Sequence, residues 1–80
     1  MDRSQVEQRV KNVVSRVLNV DPDMVKPECD FVFDLGAESV QSVQLVAAFE
    51  AEFDIELDND AALKVRTVGG AVDFVSKYVK

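Results

Sequence analysis

The sequence contains no histidine and no tryptophan, a single cysteine, two prolines and three glycines. Without histidine, Ser39 has no imidazole base to activate it, and Gly36-Ala37-Glu38-Ser39 is not the Gly-x-Ser-x-Gly elbow of serine hydrolases. A serine–lysine pair would need a partner from a distant segment, because every lysine and arginine lies at or before Lys26 or at or after Lys64. One cysteine without histidine cannot supply a transition-metal site. Cys29 alone cannot form an internal disulfide either, and the reducing cytosol is the default compartment. No apolar run approaches the length that spans a bilayer, and Met1-Asp2-Arg3-Ser4-Gln5 has no apolar signal-like region. The expectation is a soluble, untargeted, cytoplasmic protein.

What is present fits one small domain, 1–80: 80 residues, 48% hydrophobic, with a core near the lower limit for independent stability. Fifteen acidic residues against 9 basic ones give a net charge of -6, which argues against nucleic acid or an anionic membrane and for basic partner proteins. The distribution says more than the total. From Lys26 to Lys64 the chain carries Glu28, Asp30, Asp34, Glu38, Glu50, Glu52, Asp54, Glu56, Asp58 and Asp60 and no cation between them, a segregation that reads as a docking surface rather than solubility alone. The run Asp54-Ile55-Glu56-Leu57-Asp58-Asn59-Asp60 alternates acids as a calcium loop does, but Asn59 and Val65 stand where an EF-hand needs glycine and glutamate, so no metal site is expected. Glu50 and Asp54, one helical turn apart, read as a solvated face rather than an acid–base pair.

Apolar spacing predicts the elements. Ser4-Gln5-Val6-Glu7 has the capping-box pattern, and Val6, Val10, Val13, Val14, Val17 and Leu18 make one face of a first helix from about Ser4 to Leu18. Asp21-Pro22 and Lys26-Pro27 block continuation, so a long loop runs to Gly36. A second helix spans Ser39 to about Phe53, with Val40, Val43, Leu45, Val46, Phe49 and Phe53 forming a stripe broader than one core face requires. Residues 54–58 alternate like a strand without a second strand to pair with, and read as a connection tucking Ile55 or Leu57 inward. A short helix near Asp60 to Lys64 follows. Thr67 then caps a last helix with Val68, Ala71, Val72, Val75 and Val79 on one face, and Lys77 and Lys80 near its C-terminus. The predicted fold is all-α, a small four-helix bundle of three longer helices and one short one.

Ser39 closes the turn Asp34-Leu35-Gly36-Ala37-Glu38 and opens the second helix, where unpaired backbone N–H groups and the positive end of the helix dipole favour a phosphate ester. Serine is also a preferred helix cap, so capping is the simplest local alternative.

In Val10-Lys11-Asn12-Val13-Val14, in Asp34-Leu35-Gly36-Ala37-Glu38-Ser39, in the run from Leu45 to Ile55 and in Thr67-Val68-Gly69-Gly70-Ala71-Val72-Asp73-Phe74-Val75, the chain resembles the acyl carrier proteins, over nearly its whole length. The resemblance implies a non-catalytic four-helix bundle whose Ser39 is esterified with 4'-phosphopantetheine, taken from coenzyme A by a phosphopantetheinyl transferase. The arm's thiol then carries acyl groups as thioesters between enzymes. It implies a monomer meeting that transferase, and acyl-loading and acyl-processing enzymes with basic docking surfaces, through Phe33, Asp34, Glu38, Val40, Gln41, Val43, Gln44, Ala47 and Glu50. It also implies that a core of Phe31, Leu45, Val46, Phe49, Ala62, Val65, Ala71 and Val75 parts to admit an acyl chain. Burying six methylenes there stabilises by roughly 5 kcal/mol before the cost of opening.

Glu38-Ser39-Val40 departs from the family's usual Asp-Ser-Leu. Gln41 and Gln44 stand where fatty-acid members usually carry acids, and Phe33 replaces a commonly acidic residue. These departures point to a specialised fatty acid, lipid or polyketide pathway rather than the housekeeping role. Two alternatives are an unmodified acidic interaction module, and a peptidyl or aminoacyl carrier, which tends to have glycine and histidine where this chain has Ala37-Glu38.

Self-repulsion in a small acidic domain makes stability depend on counter-ions. The melting temperature is expected to rise on adding magnesium or sodium chloride; a flat response in a thermal-unfolding titration would contradict this.

Overall fold

The computed structural model describes residues 2–79. Helix α1, Arg3–Leu18, starts after Asp2, whose N–H donates to Gln5 Oε1 at 3.3 Å. The capping box therefore sits at Asp2 and Gln5 rather than at Ser4 and Glu7, because both pairs satisfy the same three-residue spacing and the earlier one adds further intrahelical bonds. Asn19 ends α1 in the left-handed region at φ 56, with its N–H bonded to Ser15 O. Val6, Val10, Val13, Val14 and Leu18 are buried, and Val17 is half-buried against them.

The segment expected as one long loop has internal order. Asp21 accepts from Asp23 N–H at 2.9 Å and opens a 3₁₀ turn, Pro22–Met24, in which the proline sits where no donor is needed. Val25 follows, buried at 1% exposure. Farther on, Phe31 N–H donates to Arg66 O at 2.9 Å and Val68 N–H to Cys29 O at 3.0 Å, an isolated antiparallel bridge between Asp30 and Thr67. Beside it Gly69 N–H reaches Pro27 O at 2.8 Å, so close that a Cβ on Gly69 would stand 3.0 Å from that carbonyl oxygen.

Helix α2 spans Ser39–Phe53, as the periodicity predicts. Its broad apolar stripe divides into two faces: Leu45, Val46 and Phe49 are buried, while Val40 and Val43 are exposed at 59% and 57%. Leu57 is buried and Ile55 half-buried, so the connection after α2 tucks both inward. Asp58 then accepts from the N–H groups of Asp60 and Ala61 and caps helix α3, Asn59–Leu63, one residue ahead of the expected span. The alternating acids thus begin a helix. Thr67 Oγ1 accepts from Gly70 N–H at 3.0 Å and caps helix α4, Val68–Ser76, as expected. Val79 lies beyond the end of α4, half-buried against the core, and Lys77 is the residue at its C-cap; Lys80 is outside the described residues.

α1 packs against both α2 and α4, and α2 against α3. Arg3 pairs with Asp73 and ties the start of α1 to α4. The bundle is an all-α fold held by a valine-rich seam in which Val10, Val13, Val14 and Val68 are fully buried. Removing two methyl-sized groups there costs about 2 kcal/mol, since this small core has little slack to collapse. Val14→Ala is therefore expected to lower the unfolding free energy by about that amount, read as a lower urea midpoint at unchanged slope, while Val43→Ala on the outer face of α2 leaves it within about 0.5 kcal/mol.

Candidate functional site

The turn before Ser39 is built by carboxylates acting on backbone. The Asp30 carboxylate accepts from Val32 N–H at 2.8 Å and Phe33 N–H at 3.0 Å, and Asp34 Oδ2 accepts from Asp30 N–H at 2.6 Å. Leu35 N–H closes onto Asp30 O at 3.1 Å and Ala37 N–H onto Phe31 O at 2.7 Å. Between them Gly36 takes φ 71, with open space where a Cβ would stand, so its requirement is conformational rather than steric. The Phe33 N–H bond holds the Asp30 carboxyl below its ordinary value, with the Val32 N–H and the Arg66 guanidinium helping and partial burial opposing.

Glu38, not Ser39, occupies the cap position of α2: its N–H donates to Gln41 Oε1 at 2.8 Å. Capping, the simplest local reading of Ser39, is therefore carried by its neighbour, because Glu38 and Gln41 complete the reciprocal spacing of a capping box. Ser39 is the first residue of the helix and is exposed, and its hydroxyl has no hydrogen-bond partner among the described residues. An anion on that oxygen meets the unspent N–H groups of the first turn.

Beneath α2 lies a cavity of about 370 Å³. Phe31, Leu45, Val46, Phe49, Ala62, Val65, Ala71 and Val75, singled out from the sequence, all line it together. Leu57, Leu63 and Phe74 also line it and were missed as lining residues, although the inward tuck of Leu57 was a signal for it. Ser42, Asp30, Val32, Lys64 and Arg66 complete the lining where the wall is exposed or half-buried. Ser42 follows Ser39 by three residues, so the two lie on one face of α2, one turn apart.

The nine residues expected at the docking surface divide. Phe33, Glu38, Val40, Val43, Gln44 and Ala47 are exposed, Phe33 the most at 79%. Asp34 is exposed but engaged with Asp30 N–H, and Gln41 is half-buried in the cap. Glu50 turns away from the outer face to accept from Leu57 N–H at 2.9 Å, and Glu52 pairs with Arg9 at 3.0 Å, whose guanidinium also lies 5.5 Å from the Phe53 ring. Over residues 40–47 the exposed face of α2 carries no charge. Sequence reasoning also missed Arg66. Folding carries it into the cation-free stretch, 5.9 Å over the Phe33 ring and 4.0 Å from Asp30 Oδ2, and no local pattern announces that contact.

A family model described as "Phosphopantetheine attachment site" matches residues 8–75. The chain is 46% identical over 74 residues to an acyl carrier protein of Caulobacter vibrioides, covering 92% of this chain and 95% of that one. It is 47% identical over 74 residues to an acyl carrier protein of Phenylobacterium zucineum, covering 92% and 94%. Its fold matches a Mycobacterium tuberculosis structure provisionally named an acyl carrier protein with a TM-score of 0.83 at 29% identity, covering 90% of this chain and 96% of that one.

The lowered Asp30 carboxyl makes a signed prediction. A folded-state value below the ordinary 3.8 means the ionised group stabilises the fold above that pH, and the contribution is lost as pH falls through the folded value. Asp30→Asn, which keeps an acceptor for Val32 N–H, is expected to be less stable than the parent at neutral pH. The gap should close in acid; urea unfolding at several pH values that finds a constant gap would contradict the charge's role.

Proposed function

The chain belongs to the acyl carrier proteins, the phosphopantetheine-attachment family, and from that premise we propose that Ser39 is the residue that bears the arm. The observation that carries this is the exposed hydroxyl at the start of α2, without a hydrogen-bond partner among the described residues and behind a turn locked by Asp30 and Asp34. The surroundings fit a phosphodiester: Ser39 stands at the N-terminal end of α2, where the first-turn N–H groups favour an anion. Bound covalently, phosphopantetheine supplies a thiol that holds acyl groups as thioesters.

The chain's own residues do the positioning. The Asp30 turn fixes where α2 begins, and the Glu38–Gln41 cap keeps its first turn wound so that the Ser39 oxygen faces outward. As a member of a carrier family, the chain presents the Ser39 hydroxyl to the transferase, which performs the transfer. The cavity under α2 receives the acyl chain: Phe49, Leu57 and Phe74 offer apolar wall, and Ser39 and Ser42 share the face that leads to it. Each methylene buried gains about 0.8 kcal/mol, against the cost of widening the bundle, so cargo is held but released to a partner.

The partners are the transferase and the acyl-loading and acyl-processing enzymes, steered by the net charge of -6 toward basic surfaces in the cytoplasm. No helix among the described residues is long and apolar enough to cross a membrane. Gln41 and Gln44, together with the engagement of Glu50 by Leu57 N–H and of Glu52 by Arg9, support service in a specialised pathway rather than the housekeeping one.

Intact-protein mass spectrometry after incubation with coenzyme A and a broad-specificity phosphopantetheinyl transferase tests the assignment. The parent is expected to gain one phosphopantetheine and Ser39→Ala none. A folded parent that gains nothing would instead favour an unmodified interaction module.

A further inference from the structure

We infer that the cavity under α2 is built for an acyl chain that carries a carboxylate, met at the rim by Arg66 and Lys64. The inference rests on Ser39 bearing the arm, and it names the class of cargo. In a protein of net charge -6, the cavity lining carries two cations, Lys64 and Arg66, against one acid, Asp30. The sign of the lining is opposite to that of the whole molecule. A hydrocarbon cargo needs only the apolar wall and leaves both charges unused.

Arg66 is held in place from two directions. Its carbonyl accepts from Phe31 N–H at 2.9 Å, which fixes its backbone beside the bridge between Asp30 and Thr67. Its guanidinium lies 5.9 Å from the Phe33 ring, and its Nε stands 4.0 Å from Asp30 Oδ2. At that separation the acid orients the guanidinium without taking up a donor in a hydrogen bond. The Asp30 carboxylate is meanwhile occupied by Val32 N–H and Phe33 N–H, so it offsets Arg66 only in part. Lys64 stands at the C-terminal end of α3, and its ammonium has no ion pair or hydrogen bond among the described residues.

Both cations offer donors and no acceptor. A carboxylate offers acceptors and no donor, so the two match, whereas a hydroxyl or amide would bring a donor that neither cation can accept. Arg66 and Lys64 lie where the lining is exposed, so a carboxylate between them keeps part of its water while the methylenes behind it lie against Phe49, Leu57 and Phe74. Ser42, one turn along α2 from Ser39, belongs to the same lining. A chain that enters beside Ser42 has apolar wall to follow toward the connection that holds Lys64 and Arg66.

The test compares matched cargoes on the same arm. A broad-specificity transferase installs it from coenzyme A thioesters of rising length: hexanoyl with adipyl, octanoyl with suberyl, decanoyl with sebacyl, the second of each pair ending in a carboxylate. Intact mass confirms each load. Urea unfolding reads how far a chain raises the midpoint above that of the protein with a bare arm, because a tethered chain that enters only the folded state stabilises it. The proteins are the parent, Arg66→Gln, Lys64→Gln and Lys26→Gln, the last removing a cation that does not line the cavity. Each pair is compared within one variant, so a change in the variant's own stability cancels.

At one length or more, the carboxylated chain is expected to raise the parent's midpoint at least as far as its alkyl match. Arg66→Gln should cut cavity occupancy by the carboxylated chain about tenfold, the size of one charge-assisted hydrogen bond, and keep the alkyl gain. Lys64→Gln should cut it less, since its ammonium is a flexible point charge, and Lys26→Gln should leave it unchanged. Carboxylated chains that stabilise less than their alkyl matches at every length, with Arg66→Gln and Lys64→Gln changing nothing, would overturn the inference in favour of a plain alkyl cargo. Chains that load but never raise the midpoint would overturn it by leaving the cavity without cargo. A folded parent that takes up no arm would overturn the Ser39 assignment itself.

Discussion

Two backbone hydrogen bonds, Phe31 N–H to Arg66 O and Val68 N–H to Cys29 O, join the middle of the longest connection to the start of the last helix, and the site depends on that join. Residues 19–38 would otherwise be a long flexible closure between α1 and α2, costly in entropy and free to wander. Pinned at Asp30, the segment has only to turn once more before Ser39, and the Asp30 and Asp34 carboxylates supply that turn. The same join brings Thr67 into register to cap α4, and the Gly69 contact with Pro27 O lets the two backbones meet without a side chain between them. One short antiparallel contact therefore sets both the turn that leads to Ser39 and a wall of the cavity beside it.

The core divides its work by side-chain shape. Valines on α1 and α4 make a tight seam in which small, stiff side chains leave little free volume. Around the cavity the larger Phe49, Leu57 and Phe74 meet alanines at 62 and 71, a mismatch of sizes that leaves space rather than filling it. The bundle is tightly filled on the α1 side and holds its cavity between α2, α3 and α4. Helix α2 sits at that boundary, with one face in the core and the other exposed.

Acidity in this protein is structural as much as it is electrostatic. Asp21, Asp30, Asp34 and Asp58 each accept from backbone N–H groups at a turn or helix start, and Glu50 does so at the connection after α2. Carboxylates are well suited to those orphan donors, which explains why so many appear where the chain changes direction. The central segment's formal charge thus overstates the charge left unengaged, since part of it is spent holding the backbone. Arg9 and Arg66, arriving from outside that segment, neutralise more of it locally.

The helices were legible because apolar periodicity is local information: Val6 to Leu18, Leu45 to Phe49 and Val68 to Val75 each repeat at the spacing of a single face. Thr67 as a cap, the inward tuck of Leu57, and Ser39 as the opening residue of α2 follow from neighbours within a few positions. The start of α1 was misjudged because Asp2 and Ser4 offer equivalent caps and only the fold selects between them. What the sequence by itself determined is thus the identity and order of the helices and the hydroxyl placed at the mouth of the second. Tertiary structure alone decided that the Asp30 and Thr67 backbones pair, that Arg66 stands over Phe33, that eight scattered apolar residues close around one cavity, and that Glu50 and Glu52 are engaged by Leu57 N–H and Arg9. Each of those contacts joins residues whose separation along the chain carries no periodic signal, so only packing brings them together.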